Sequence, residues 1–283
     1  MPDTSIPILQ FKDVSLRYED TWALHNISFS LRPGETRIIL GAAGSGKTTL
    51  LKAVIGLVTV DQGTIALFGE QITSRKEHEL YSLRSRAGML FQEGGLFDSL
   101  SIGENVQYPL VNQQASDQGN SGNSLSAPES NKRVRETLRF VELEQTFDKF
   151  PSELSGGMRR RVGIARAIVT EPPLILYDSP TAGLDPITAN LIMALVAKER
   201  DVRNTASLIV TYRYQDGEVM ANFRYNREQD ELVRVSEEEQ KDPRRSRTKF
   251  IVMKDGEFVF FGTRQELEAC DDSYVKRFVR HED

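Results

Sequence analysis

Cysteine is nearly missing from this chain: Cys270 is the single one in 283 residues. A lone thiol closes no intrachain disulfide and builds no cysteine-based metal cage, so a reducing compartment is expected. No segment approaches the roughly 20 apolar residues that span a bilayer. The opening MPDTSIPILQ also lacks a basic stretch followed by an apolar one, so any work on a membrane is expected to pass through partner subunits. Positive charge is in deficit, with 36 Lys and Arg against 41 Asp and Glu and a formal net charge of −5. That balance argues against a general nucleic-acid binder, whose affinity rests on neutralising phosphates. What is present is ordinary, 39% hydrophobic and 27% charged. Such a chain can bury a substantial core as one large or two small domains.

Residues Ile8 to Thr36 read as short strands, with Pro33-Gly34 marking a turn. An apolar strand, Arg37 to Leu40, runs into a glycine-rich loop, and Lys47 to Gly56 is a helix candidate with Leu50, Leu51, Val54 and Ile55 on one side. Leu174–Tyr177 and Ser207–Val210 read as buried strands. Asp185-Pro186 opens a helix through Ala197, Asp as cap and Pro at the first position. Strands alternating with helices predict an α/β fold on a parallel sheet. Asn112–Ser130, rich in Gln, Asn, Ser and Gly, is expected to be a solvent loop. From Gly217 to Arg247 the chain turns charged and reads as a solvated excursion with two short strands, Val219–Tyr225 and Glu231–Val235. Thr248–Gly262 is expected to be a hairpin turning at Asp255-Gly256.

The loop reads GAAGSGKT. Glycines at 41, 44 and 46 let the backbone bend so that successive N–H groups converge on phosphate oxygens at the start of a helix. The candidate phosphate-binding residues are Gly41, Ala42, Ala43, Gly44, Ser45, Gly46, Lys47, Thr48 and Thr49. Lys47 would reach the β and γ phosphates of ATP, and Thr48 would give its hydroxyl to Mg²⁺. LILYD, Leu174 to Asp178, supplies a second strand whose terminal Asp178 would hold the same Mg²⁺.

LSGGM at Leu154–Met158, followed by RRRVGIARAIV, resembles the signature motif of ABC ATPases. Ser155 would cap a helix while Gly156 and Gly157 leave its first amides open to an anion. Met158, Val162, Ala165 and Val169 would face inward and Arg159 to Arg161 largely outward. The resemblance implies a P-loop NTPase fold: a RecA-like parallel sheet core, an antiparallel β subdomain and an α-helical signature subdomain. It implies one ABC ATPase domain over 8–265, with the helical subdomain about 93–168, the solvent loop about 112–130 and the charged insertion about 217–247. A C-terminal helical tail follows over 266–283. In that family the signature addresses ATP held by the opposite subunit, so a complete site needs a dimer. Tyr18 stands where the family stacks an aromatic on adenine. Gln92, in FQEGGLFDSL, matches the Q-loop, whose Gln reaches the metal region and couples to membrane subunits. SPTAGLD, Ser179 to Asp185, matches the D-loop at the dimer interface. The stretches GGLFDSLSIGENVQYPL and PSELSGGMRRRVGIARAI look most like ATPases of bacterial phospholipid transport systems of the Mla and mammalian-cell-entry type. That likeness implies ATP and Mg²⁺ as cofactors, and transmembrane permease subunits and a second ABC ATPase, as homodimer or heterodimer, as partners. A lipid-binding protein of the same system is a further implied partner, nucleic acid is not, and the implied place is the cytoplasmic face of the membrane, held through the permease.

Two residues depart from the family. Ser179 stands where most members place the catalytic Glu, and Tyr212 where they place the switch His. A serine hydroxyl orients water but is a poor base, and loss of a general base costs about 10² to 10⁴ in rate. Gln92, Ser179 and Tyr212 are therefore the candidate catalytic residues of a degenerate site. Either the chain pairs with a different ATPase whose site its LSGGM completes, or a homodimer hydrolyses ATP slowly, or ATP gates the subunit without hydrolysis. A soluble ABC-type switch without transport is the remaining alternative.

Overall fold

The computed structural model describes residues 6–92, 94–116, 125–236 and 246–279. The apolar runs fold as the buried middle of a sheet: β3 (Thr36–Gly41), β7 (Leu174–Asp178) and β8 (Ala206–Val210) are buried at every position, as strands covered on both faces must be. With β6 (Ala87–Leu90), β11 (Thr248–Lys254) and β12 (Glu257–Gly262) they form six strands in the order β12-β11-β3-β8-β7-β6. Every pairing is parallel except β11–β12. That pair is the expected hairpin, turned by Asp255 (φ 49°) and Gly256 (φ 82°). A second, antiparallel sheet joins β1 (Leu9–Tyr18), β2 (Thr21–Leu31), β4 (Gln62–Leu67) and β5 (Glu70–Gln71) in the order β2-β1-β4-β5.

Alternation along the central strands feeds two cores. Ile38, Leu40, Ile175, Tyr177, Ile209 and Phe250 point into one, and Ile39, Leu174, Leu176, Leu208, Val210 and Met253 into the other. The second core is closed by the antiparallel sheet with α1 (Lys47–Val54) and α2 (Glu77–Arg84). The first is closed by α3 (Ile102–Ser116), α4 (Ala127–Phe140), α5 (Gly156–Ile168) and α6 (Pro186–Arg203). After β8 come α7 (Tyr214–Asn222), a hairpin of β9 (Phe223–Asn226) and β10 (Glu231–Arg234), and, beyond β12, α8 (Arg264–Glu268) and α9 (Ser273–Val279).

Four expectations change. The polar stretch 112–130 is helical at both edges, since α3 runs through Ser116 and α4 opens at Ala127 under a Ser126 cap bonded to Glu129 N–H; residues 117–124 lie outside the described ones. Helix α6 continues past Ala197 to Arg203, because its charged end is anchored rather than solvated. There Arg200 is fully buried, donating to Asp201 and to the Met220 and Phe223 carbonyls, and Asn204 at φ 55° closes the helix. Val219–Asn222 is helix, not strand, with Gly217 and Met220 buried against Phe250 and its neighbours. The excursion is therefore packed at its start, while most of its EEEQKDPRRSR run falls outside the described residues. Arg160, expected outside, is 7% exposed; its guanidinium has main-chain carbonyls to bond, as described below.

Candidate functional site

The loop after β3 holds its shape through contacts that admit no side chain at Gly46, where a Cβ would lie 2.1 Å from the Ala23 carbonyl oxygen and φ is 99°. Its lysine is folded back on it. Lys47 Nζ donates to the carbonyls of Gly41 at 2.8 Å and Ala42 at 2.7 Å, and approaches Ser45 Oγ at 3.3 Å. Burial lowers its pKa to about 8, against the opposing charge of Asp178. No side chain caps α1, so its first amides are available to an anion.

Asp178 ends β7 beside Lys47 and Thr48. Thr48 Oγ1 donates to Asp178 Oδ2 at 3.4 Å and Ser179 Oγ to Oδ1 at 3.4 Å. Burial pushes the Asp178 carboxyl up, and these hydroxyls and Lys47 pull it down. The chemistry of this donor set fits Mg²⁺: a hydroxyl and a carboxylate oxygen side by side, with room left for phosphate and water oxygens. Ser179 is buried with φ 50° and donates its N–H to Val210 O at 2.8 Å. Tyr212 leaves β8 at the same edge, half exposed, with its ring centre 4.7 Å from Lys47 Nζ. The parallel register Leu90↔Tyr177 brings Gln92 out at that edge as well. Tyr18, at the end of β1, lines the cavity of about 280 Å³ that also holds Gly44, Gly46, Lys47, Thr48 and Tyr212. Trp22, across the Tyr18–Thr21 hairpin, lines it too; sequence reading passed it over because nothing in its neighbours marks it. A cavity of about 530 Å³ lies beside Pro172, Pro173 and Thr205. It is at the opening ends of β7 and β8, whereas ligands of such sheets sit at the carboxyl ends.

The signature residues do not join this cavity. Ser155 caps α5 by accepting from Met158 N–H at 3.3 Å, and Ser155, Gly156 and Gly157 line a separate hollow with Leu184, Asp185 and Thr188. The two glycines differ. A Cβ at Gly157 would lie 2.5 Å from Thr188 Cγ2, whereas one at Gly156 would meet nothing nearer than Leu184 Cδ2 at 3.9 Å. Within this chain a side chain at 157 would have to displace the Thr188 methyl, whereas one at 156 would displace nothing.

Three charged residues tie the loops together, and sequence reading missed them as such. From α5, Arg160 donates to the carbonyls of Phe91, Gln92 and Ala182, and Arg166 to those of Gly94 and Gly95. One helix thus holds the Gln92 loop and the 179–185 segment in common. Asp216, 2% exposed, accepts from Thr181 Oγ1 at 2.6 Å and Thr211 Oγ1 at 2.5 Å. Burial raises its pKa and the two hydroxyls lower it. It joins the segment after Ser179 to the residue before Tyr212, a link between positions far apart in sequence.

Residues 24–182 match the ABC transporter family model. The chain is 30% identical over 272 residues to the intermembrane phospholipid transport system ATP-binding protein MlaF of Escherichia coli, covering 96% of this chain and 88% of that one. It is 36% identical over 211 residues to the methionine import ATP-binding protein MetN of Brucella abortus, covering 75% of this chain but only 54%, about half, of that one. Among solved structures it is similar to a dimeric ATP-binding cassette in a post-hydrolysis state bound to ADP and Pi, at 28% identity and TM-score 0.72 over 90% of this chain.

Proposed function

The chain belongs to the ABC transporter family, and on that premise we propose that it is the ATP-binding, energy-coupling subunit of a lipid transport system. In this reading two cassettes close face to face on MgATP and their membrane partners follow the motion. One observation carries it. The phosphate loop and the signature occupy different hollows of one chain, so each chain offers two half-sites and a second cassette is needed to join them.

The loop amides, Lys47 and Thr48 bind the phosphates, Thr48 and Asp178 with Gln92 hold Mg²⁺, and Tyr18 faces the base. Mg²⁺ would supply charge neutralisation at the β and γ phosphates. Ser155, Gly156 and Gly157 serve the partner's ATP, which accounts for a glycine at 156 that its own chain leaves uncrowded. Ser179 and Tyr212 replace a base and an imidazole, so turnover at the chain's own loop is slow. Binding is spared, because neither residue forms the cradle.

A permease is expected on the exposed Phe91, Phe97, Tyr108 and Val111, where the Phe97 and Tyr108 rings lie 4.7 Å apart. Phe91 lies within the loop that Arg160 and Arg166 hold and the other three follow it, so a push there is passed to Gln92. No helix among the described residues is long and apolar enough to cross a membrane, so attachment to the inner face goes through that permease. Lipid as cargo is supported by the MlaF relatives, which match most of the chain; the MetN match is of similar identity and serves another cargo. Purification of the native complex in detergent tests the reading. A multispanning permease, a second ATPase chain and nucleotide trapping should appear together, and a chain recovered alone that never traps MgATP would refute it.

A further inference from the structure

The carboxy-terminal helix reaches the phosphate loop. Tyr274, in the first turn of α9, sets its hydroxyl between two main-chain groups, accepting from Ala42 N–H at 3.2 Å and donating to Met253 C=O at 3.1 Å. Both groups lie where the β3–β11 ladder runs out, Gly41 opposite Met253 being its last pair. A phenol has one proton to give and lone pairs to accept with, so a single oxygen supplies the rung that the diverging strands cannot make directly.

The peptide unit it grips is the one that Lys47 grips from the other side. In a planar trans peptide the C=O and N–H point in opposite directions. Here the N–H of Ala42 meets Tyr274, and the C=O of Gly41 accepts from Lys47 Nζ at 2.8 Å. Rotation of that plane would break both bonds. The hydroxyl is itself held by packing: Val275 is fully buried, Asp272 Oδ1 accepts from the N–H groups of Tyr274 at 2.8 Å and Val275 at 3.0 Å, and Phe278 meets the Tyr274 ring edge-on at 5.2 Å. The Lys254 ammonium lies 5.3 Å from the centre of that ring.

We propose that Tyr274 is a positioning residue for the phosphate loop, fixing the Gly41–Ala42 peptide so that docking of the carboxy-terminal helix and nucleotide affinity are linked. The proposal rests on the reading of that loop as the ATP site. Linkage is reciprocal: if a docked α9 favours the nucleotide, the nucleotide must favour docked α9 by the same factor.

The test uses the full chain and its Tyr274→Phe variant. Calorimetry with MgATP and with magnesium tripolyphosphate should show about 3- to 10-fold weaker binding of both in the variant, the net worth of a neutral hydrogen bond. The melting temperature without nucleotide should fall by no more than about 1–3 °C, the loss that one net hydrogen bond brings in a chain of this size. In the parent, MgATP should slow hydrogen exchange over Ser273–Val279, and in the variant it should not. Equal affinities in a folded variant overturn the proposal. So does parent exchange that ignores bound MgATP, a result that needs no variant. A parent that fails to bind MgATP at all removes the ATP-site reading itself, and this inference with it.

Discussion

The Lys47 ammonium rests 4.7 Å from the centre of the Tyr212 ring while donating to the Gly41 and Ala42 carbonyls. The aromatic face thus contributes to a resting lysine already satisfied by main chain. A cation–π contact at a half-exposed ring is worth about 0.5–1 kcal/mol, so Tyr212→Ala should change MgATP affinity by less than about 5-fold. Equilibrium binding measures it, and complete loss of affinity would place Tyr212 among the binding residues instead.

Burial holds the Lys47 pKa at about 8. At pH 7 the ammonium is mostly charged, and it is lost as pH rises through 8. A phosphate-bound lysine must be protonated, so MgATP binding should take up a proton above about pH 8 and weaken towards tenfold per pH unit. Calorimetry at pH 8.5 in buffers of different ionisation enthalpy would report the uptake; none would show that the lysine stays charged. For folding the sign is opposite to an ion pair. The unfolded lysine keeps its proton to about 10.5, so this group's contribution to stability rises with pH between the two values.

Ser179 Oγ donates to Asp178 at the strand end, the position at which the resembling ATPases carry their general base. Ser179→Glu should raise ATP turnover of the assembled dimer by at least about 10-fold, and by up to the 10² to 10⁴ that a general base is usually worth. Its φ of 50° costs a non-glycine residue roughly 1–2 kcal/mol, a cost that serine already meets. Unchanged turnover in a correctly assembled dimer would mean that the base is not the missing part.

Asp216→Ala leaves the Thr181 and Thr211 hydroxyls without their shared acceptor. Loss of about 2 kcal/mol is expected, roughly 3–4 °C in Tm for a chain of this size. Asp216→Asn, which keeps one acceptor oxygen, should lose less. Thermal unfolding decides, and equal losses in the two variants would show that the hydroxyl bonds are not what Asp216 contributes.

Gly156→Ala should leave Tm unchanged yet lower ATP turnover of the dimer, since its Cβ meets nothing closer than 3.9 Å within the chain. Gly157→Ala should cost stability, because its Cβ would press on Thr188 Cγ2 at 2.5 Å. Unfolding and turnover measured side by side test both. Gly156→Ala with full turnover would argue against a role for that glycine towards a second chain.

Much of this was legible in the chain because the signals are local. Gly41–Thr48 and Leu174–Asp178 write strand, turn and helix into consecutive residues, and Asp185-Pro186 and Ser155 mark their helix starts by capping chemistry. Two of the four errors came where a charged side chain found main-chain partners distant in sequence; the others came where polar or mixed segments gained helix ends or apolar packing. Arg160 reaches Gln92 and Ala182, and Arg200 reaches Met220 and Phe223. Helical periodicity places Arg160 outside and charge ends α6 before Arg200, since neither signal can see the carbonyls that accept from them.

By itself, then, the sequence determined the glycine loop of Gly41–Thr48 between strand and helix, the strand ending in Asp178 and the helix capped by Ser155. Those are set by residue type at short spacing, whereas the departures at Ser179 and Tyr212 are read against the family resemblance. Only the tertiary structure decided that Asp216 joins Thr181 to Thr211 and that Tyr274 bridges Ala42 and Met253. Those relations join residues distant along the chain through hydrogen bonds whose geometry exists only once the sheet has brought its loops to one edge.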